Sequence, residues 1–197
     1  MTAPLLEFIR AHAARNAGAP AVESATGEVL GFGALAASID RVADSLRARG
    51  LREGDVVAWV GDRTIVALVH WLAAWQLGAT WFPTAPGAPV ERKIGWFSRI
   101  GERLDTIDDR TVLLRPRVDA SGAWIIATSG SDEAPKLVRV GHEGVVPVLR
   151  DQVDAFRIDA SSRVLSALSL GFDATLSDWG TSLLAGATLV LAPGGLL

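Results

Sequence analysis

The segment that most constrains the fold runs from Asp55 to Pro83, where a helix-length apolar stretch lies between two short β-rich runs. The first run reads DVVAWVG and the second reads ATWFP, and their β-branched and aromatic residues favour strands. Between them, Asp62 stands where a helix cap is expected, and the following helix is apolar on all sides as far as Gly78. This order predicts a right-handed parallel βαβ unit whose middle helix is buried against a sheet.

The rest of the chain continues the alternation of helices and strands. An amphipathic helix is predicted over Ala34–Arg49, with Gly50 as its stop, and a rigid proline-rich connection covers residues 84–89. Further helices are predicted over Val90–Ile100, Gly144–Phe156 and Ala174–Leu184, the last closed by Gly186. Further strands are predicted over Thr111–Arg115, Ala123–Thr128, Leu137–Val140, Arg163–Leu168 and Thr188–Leu191. We therefore expect one α/β domain over residues 1–197, in which a sheet with flanking helices is built from βαβ units.

Composition excludes several classes of function. The chain has no cysteine, so disulfides, thiolate metal sites and cysteine nucleophiles are excluded, and we predict no metal site. The net charge is −3 and the arginines are scattered, so nucleic acid is not expected as a partner. The most apolar stretch, Ile65–Trp75, is far shorter than the roughly 20 residues that cross a bilayer. We expect a cytoplasmic protein without a membrane anchor. The seven tryptophans are expected to fill the core.

One segment between two predicted strands could carry chemistry. It reads TSGSDEAPK, and its candidate phosphate-loop residues are Thr128, Ser129, Gly130, Ser131 and Lys136. Small hydroxyl and glycine positions would let backbone N–H groups approach a phosphate chain, and a lysine closes the loop. The segment lacks the spacing of a P-loop or of a dinucleotide-binding turn. A plain surface turn, with Lys136 as a solvated lysine at a strand edge, is the alternative.

Further segments accompany this loop in a fixed order along the chain: LGFGAL at 30–35, GATWFP at 78–83 with Pro86, Pro89, Glu91 and Arg92 after it, His142, FDAT at 172–175 and GATLV at 186–190. The loop resembles the TSGSTGxPKG signature of adenylate-forming enzymes. The other segments resemble the L-T-Y-x-E-L, G-x-A-Y-x-P, F-D-x-S and G-A-x-L-V motifs of the same family. The chain thus resembles the N-terminal portion of a nonribosomal peptide synthetase adenylation domain, in the acyl-CoA synthetase-like superfamily. The resemblance covers nearly the whole chain and implies the fold of that N-terminal subdomain.

The resemblance also assigns a role to Asp173. It matches the aspartate that, in amino-acid-specific members of the family, pairs with the α-ammonium group of the substrate. The alternative is a helix cap before Ala174, since aspartate is favoured at a helix N-terminus. One carboxylate could do both. His142 is expected to be a histidine at a helix start without a catalytic task.

Two departures from the family pattern concern activity. Asp132 and Glu133 replace the Thr-Gly pair of the loop, and Leu137 replaces a glycine. A carboxylate at 4 Å from a phosphate oxygen would be repelled by about 4 kcal/mol at an effective dielectric constant near 20. The sequence also stops before the positions of the family's ribose-binding aspartate and catalytic lysine. We therefore expect no catalytic residue here, and ATP and Mg²⁺ as ligands only if a second piece completes the site.

Two functional hypotheses follow from the resemblance. The first is a truncated, inactive adenylation-like domain that acts as a structural or protein-interaction module in nonribosomal peptide biosynthesis. Its exposed apolar surface would recruit other synthetase domains or a second copy of the chain. The alternative is one piece of a split or interrupted adenylation domain that activates an amino acid with ATP once complemented. A third possibility is that the 197 residues are a segment cut from a longer protein.

Overall fold

The computed structural model describes residues 4–84, 87–119, 121–128 and 136–193. Its helices are α1 (Pro4–Arg15), α2 (Phe32–Ala48), α3 (Ile65–Gln76), α4 (Val90–Ile100), α5 (His142–Phe156) and α6 (Ala174–Ala185). Its strands are β1 (Pro20–Glu23), β2 (Val29–Gly31), β3 (Val56–Val60), β4 (Thr80–Thr84), β5 (Gly101–Thr106), β6 (Thr111–Pro116), β7 (Trp124–Thr128), β8 (Lys136–Val140), β9 (Arg163–Ser166) and β10 (Thr188–Leu191). The predicted α/β fold with helices flanking sheets is confirmed.

The strands form two sheets. The six-stranded sheet has the order β5-β6-β3-β4-β7-β8, with β3, β4 and β7 parallel and the other neighbours antiparallel. The four-stranded sheet has the order β2-β1-β10-β9, with β1, β10 and β9 parallel. The predicted βαβ unit is β3-α3-β4, in a register that runs from Val56 opposite Thr80 to Val60 opposite Thr84. The division of the strands over two sheets was not predicted.

Helix α3 lies in the main core, as its apolar sequence predicts. Trp71 and Trp75 of this helix are fully buried, and their rings pack edge to face with centroids 4.7 Å apart. The six-stranded sheet is buried on both faces, since Val57 of β3 contacts the main core while Val56 and Ala58 contact a second cluster beneath α4. This explains why β3 reads as a continuous apolar run. Six of the seven tryptophans are fully buried and Trp96 is 7% exposed, so the prediction that they fill the core is confirmed.

Several predicted boundaries hold and others are wrong. Helix α4 occupies the predicted range, and Gly186 ends α6 with a φ of 77°, as a C-terminal glycine should. Asp62 is not the cap of α3: it is exposed, and the Thr64 hydroxyl accepts the Ala67 N–H at 3.1 Å instead. Strand β9 ends at Ser166, two residues before the predicted end.

Four elements were missed by the sequence analysis. Helix α1 buries Leu5, Leu6 and Ile9 on one face, an amphipathic spacing that the N-terminal segment does contain. Strands β1 and β2 have four and three residues, too few for a periodic pattern to emerge. Strand β5 reads GERLDT, and its charged residues are typical of an edge strand rather than of a buried one.

Candidate functional site

The candidate phosphate loop begins and ends on an antiparallel hairpin. Strands β7 and β8 place Thr128 directly opposite Lys136, and the Thr128 hydroxyl donates to the Lys136 carbonyl oxygen at 3.3 Å. Both residues are exposed. The structure therefore brings together the two predicted ends of the loop. The residues between them lie outside the described part of the chain, namely Ser129, Gly130, Ser131, Asp132, Glu133, Ala134 and Pro135.

A cleft of about 360 Å³ opens beside Thr128. It lies where the parallel strands β4 and β7 end, at Thr84 and Thr128, and the carboxyl ends of parallel strands are the usual position of ligand sites in α/β proteins. Helix α4 contributes Trp96 to one wall. The lining residues are Pro83, Thr84, Trp96, Ile126, Ala127, Thr128, Gly171, Phe172 and Asp173. The walls are thus mostly apolar, with hydroxyl groups and one carboxylate.

Asp173 closes this cleft from the start of α6. Its Oδ1 accepts the Ala174 N–H at 2.8 Å, which confirms the predicted helix cap. The side chain is exposed and also faces the cleft, so the capping position does not remove the carboxylate from the site. Phe172, which is 60% exposed, precedes it in the same wall. Contact of Asp173 with a substrate ammonium group stays a prediction.

The described part of the cleft contains one charged side chain. Among its lining residues in the described chain, Asp173 is the one with an ionisable side chain. Lys136 is paired with Thr128 in the β7–β8 hairpin, and it does not line the cleft. A phosphate chain placed here would meet a carboxylate and a lysine at the margin, rather than a built cluster of cations.

Arg63 is a residue that the sequence analysis missed. It follows β3, and its guanidinium donates to the carbonyl oxygens of Leu168 at 2.7 Å, Pro193 at 3.1 Å and Ala192 at 3.3 Å. These carbonyls follow β9 and β10, so one side chain ties the six-stranded sheet to the ends of two strands of the other sheet. Burial lowers the pKa of Arg63, and its Nε is buried without a partner among the described residues. No sequence signal predicts this contact, because the partners lie more than one hundred positions away.

His142 lies at the first position of α5, as expected for a histidine at a helix start. Its ring packs edge to face on Trp75, with centroids 4.8 Å apart, and burial lowers its pKa. His70 on α3 is similar: its ring contacts Trp59, Nδ1 lies 2.8 Å from the Val66 carbonyl oxygen, and burial lowers its pKa. Neither histidine lines the cleft. Both rings therefore pack against buried tryptophans outside the cleft.

No group of three or more histidine, aspartate or glutamate side chains in the described part of the chain is arranged to hold a metal ion. Likewise, none of the helices in the described ranges combines the length and the apolar character that crossing a membrane requires.

Known proteins share both the sequence pattern and the fold of this chain. The family described as AMP-binding enzyme matches residues 9–95. CymA of Salinispora arenicola, a probable non-canonical nonribosomal peptide synthetase, is 35% identical over 192 residues, which are 93% of this chain and 2% of CymA. The nonribosomal peptide synthetase FmoA3 superposes with a TM-score of 0.80 and 28% identity, over 96% of this chain and 22% of that one.

A third similar structure is the N-terminal subdomain of NpsA from Klebsiella oxytoca. It superposes with a TM-score of 0.82 and 23% identity over 100% of this chain, and this chain covers 55% of the NpsA chain. The chain therefore has the fold of an N-terminal subdomain and spans little more than half of the solved one.

Proposed function

This chain belongs to the adenylate-forming superfamily, as the N-terminal part of a nonribosomal peptide synthetase adenylation domain, and we propose that by itself it does not activate a substrate with ATP. It acts instead as a structural or protein-interaction module in nonribosomal peptide biosynthesis. In the same proposal the protein is cytoplasmic. Its partners are other synthetase domains or a second copy of the chain.

The charge around the cleft carries this proposal. The loop held by Thr128 and Lys136 contains Asp132 and Glu133, and the cleft beside it is lined by Asp173 without a cationic side chain among its described residues. The sequence from Thr128 to Lys136 thus carries two carboxylates and one ammonium group, and Asp173 adds a carboxylate to the cleft. Each carboxylate within 4 Å of a phosphate would cost about 4 kcal/mol at an effective dielectric constant near 20, and solvent reduces this value. The single positive charge of Lys136 is outnumbered by these carboxylates.

Calorimetric titration with ATP and Mg²⁺ tests the proposal. The wild-type chain is expected to show no saturable binding up to about 1 mM ATP, an affinity of roughly −4 kcal/mol. The double variant Asp132→Thr/Glu133→Gly restores the Thr-Gly pair of the family loop and should bind more tightly than the wild type. Saturable binding by the wild-type chain at micromolar ATP would show that the proposal is wrong.

A matched control separates the loop from the overall charge. The double variant Asp44→Thr/Asp109→Gly makes the same two kinds of substitution on exposed residues of α2 and of the turn before β6, whose side chains are 75% and 86% exposed. Its net charge rises by the same two units. If the control gains as much ATP affinity as the loop variant, the effect comes from net charge and not from the position of Asp132 and Glu133.

A split adenylation domain is the second candidate function. The observation that favours it is the NpsA subdomain, which contains the whole fold of this chain within a longer one. Asp173 and the cleft would then be one side of an amino-acid site, and another polypeptide or segment would supply the rest. Exchange of pyrophosphate into ATP that depends on an amino acid, measured with the completing piece present, should appear under this function. It should stay at background if the chain is only an interaction module.

A further inference from the structure

Besides the cleft, a hollow of about 300 Å³ opens between α4 and the hairpin of β5 and β6. We call it the α4 hollow. Its lining residues are Ile94, Phe97, Ser98, Gly101, Arg103 and Leu114. None of them lines the described part of the cleft beside Thr128, so the two concave sites are separate.

The walls of the α4 hollow are apolar and are fixed by the second core cluster. Leu114 of β6 is 1% exposed within that cluster. Phe97 of α4 packs edge to face on Phe82, with ring centroids 6.1 Å apart. Ile94, about one turn before Phe97 on the same face of the helix, is 59% exposed. The hollow is therefore pre-formed, and its volume lies at the lower end of the range for small-ligand sites.

Arg103 is the charged residue of this hollow. It lies directly opposite Leu114 in the β5–β6 hairpin, so the two side chains share one face of the sheet. Within the described part of the chain, its guanidinium makes no ion pair and donates no hydrogen bond. The carboxylates nearest in sequence are directed elsewhere: Glu102 points to the other face of the sheet, and Asp105 pairs with Arg49 at 2.9 Å. Arg103 therefore has its donors free for a ligand.

The chemistry of the ligand follows from this single cation. A guanidinium presents a planar fork of N–H donors that fits a carboxylate with two parallel hydrogen bonds. Ser98 adds no donor, because its hydroxyl already donates to the Ile94 carbonyl oxygen at 2.7 Å. No acidic side chain is found among the described lining residues, so none of them repels an anion. The cleft offers the opposite charge, since Asp173 lines it.

We propose that the α4 hollow is a binding site for a small carboxylic acid with an apolar tail. The carboxylate pairs with Arg103, and the tail lies against the apolar walls that α4 and β6 provide. The acid is bound and released unchanged. This site goes beyond the proposed function, because it uses neither the candidate phosphate loop nor Asp173.

Calorimetric titration of the full chain with octanoate tests the site. Octanol and octylammonium serve as comparison ligands, because they keep the octyl tail and replace the carboxylate by a neutral or a positive group. We expect saturable octanoate binding with a dissociation constant below about 1 mM. Octanol should bind at least about tenfold more weakly, and octylammonium should not bind at the hollow. In NMR spectra, octanoate should shift the amide signals of Phe97 and Gly101.

Two variants separate the charge from the apolar walls. Arg103→Gln removes the charge, and we expect it to weaken octanoate binding at least about tenfold and to leave octanol binding unchanged. Ile94→Ser removes an apolar contact and should weaken the binding of both ligands. The matched control is Arg92→Gln on α4, because Arg92 is exposed and does not line the hollow, and it should bind octanoate as the wild type does. Near-ultraviolet circular dichroism checks that each variant is folded.

Several outcomes would show that the proposal is wrong. Octanoate that does not bind, or that binds no more tightly than octanol, would overturn it, as would equal octanoate affinities of Arg103→Gln and Arg92→Gln. Amide shifts at Thr84 and Gly171 instead of the hollow would place octanoate in the cleft and would also overturn it. The ATP titration is independent of this test, so failure of the α4 hollow leaves the proposed function standing, and the reverse also holds.

Discussion

Asp55, which directly precedes β3, and Arg115 on the adjacent strand β6 form a two-point ion pair: the Arg115 Nε donates to Oδ1 of Asp55 and Nη2 donates to Oδ2, each at 3.1 Å. Asp55 is 3% exposed and also accepts the Arg52 N–H at 2.8 Å, whereas the Arg115 side chain is 41% exposed. The pair raises the pKa of Arg115. Asp55 therefore joins the loop before β3 to the antiparallel neighbour of that strand.

Removal of this carboxylate should destabilise the fold. For Asp55→Ala we expect a loss of about 2 kcal/mol in the free energy of unfolding, because three donors lose a buried acceptor while Arg115 can still be hydrated. The control is Asp44→Ala, which removes an ion pair with Arg47 on the surface of α2 and should change little. Urea denaturation measures both. Equal stability of the two variants would contradict the role assigned to Asp55.

Alanine substitution of two glycines, one in α4 and one at the start of β5, should change the free energy of unfolding in opposite directions. A Cβ at Gly101, the first residue of β5, would lie 1.9 Å from the Arg115 carbonyl oxygen, and nothing lies within 4 Å of a Cβ at Gly95. We expect Gly101→Ala to lower the free energy of unfolding by about 3 kcal/mol through overpacking. Gly95→Ala, inside α4, should raise it by about 0.5–1 kcal/mol. Thermal unfolding checks the signs, and a tolerated Gly101→Ala would show that the strands can separate.

The cap of α3 gives a third prediction. Thr64→Ala should lower the free energy of unfolding by about 1 kcal/mol, because the Ala67 N–H loses its acceptor. Asp62→Ala is the control, because this exposed aspartate is not the cap. The free energy of unfolding is compared for the two variants. A larger loss of stability in Asp62→Ala than in Thr64→Ala would show that Asp62 is the capping residue.

The buried histidines predict a dependence of stability on pH. Burial lowers the pKa of His70 and His142 in the folded chain below the ordinary histidine value. As the pH falls below about 6.5, the unfolded chain takes up protons that the folded chain does not, so the free energy of unfolding decreases. Above that pH the contribution of the neutral histidines to the free energy of unfolding is fully retained.

The double variant His70→Gln/His142→Gln isolates this contribution. Its free energy of unfolding should fall less steeply than that of the wild type between about pH 7.5 and 5.5. Burial raises the pKa of Asp178, which acts in the opposite direction, but Asp178 is present in both proteins and its contribution cancels. Identical pH profiles of the two proteins would show that the histidines are not the cause.

Much of the local structure could be predicted. The range of α4, the βαβ unit around α3 and the two strands on either side of the candidate loop follow from apolar spacing and from strand-forming runs. The cap of α3 shows the limit of local rules. Asp62 and Thr64 are both good caps, and the one that serves is decided by where the chain leaves β3 and enters the helix.

The sequence by itself determined the α/β alternation, the buried character of α3 and the motifs that identify the family, because these depend on residues that are close together in the chain. Only the tertiary structure decided how the strands divide into two sheets, that Arg63 connects them and that Asp173 faces the same cleft as Thr128. These features depend on contacts between distant segments, and such contacts are selected by the packing of whole faces rather than by any local pattern.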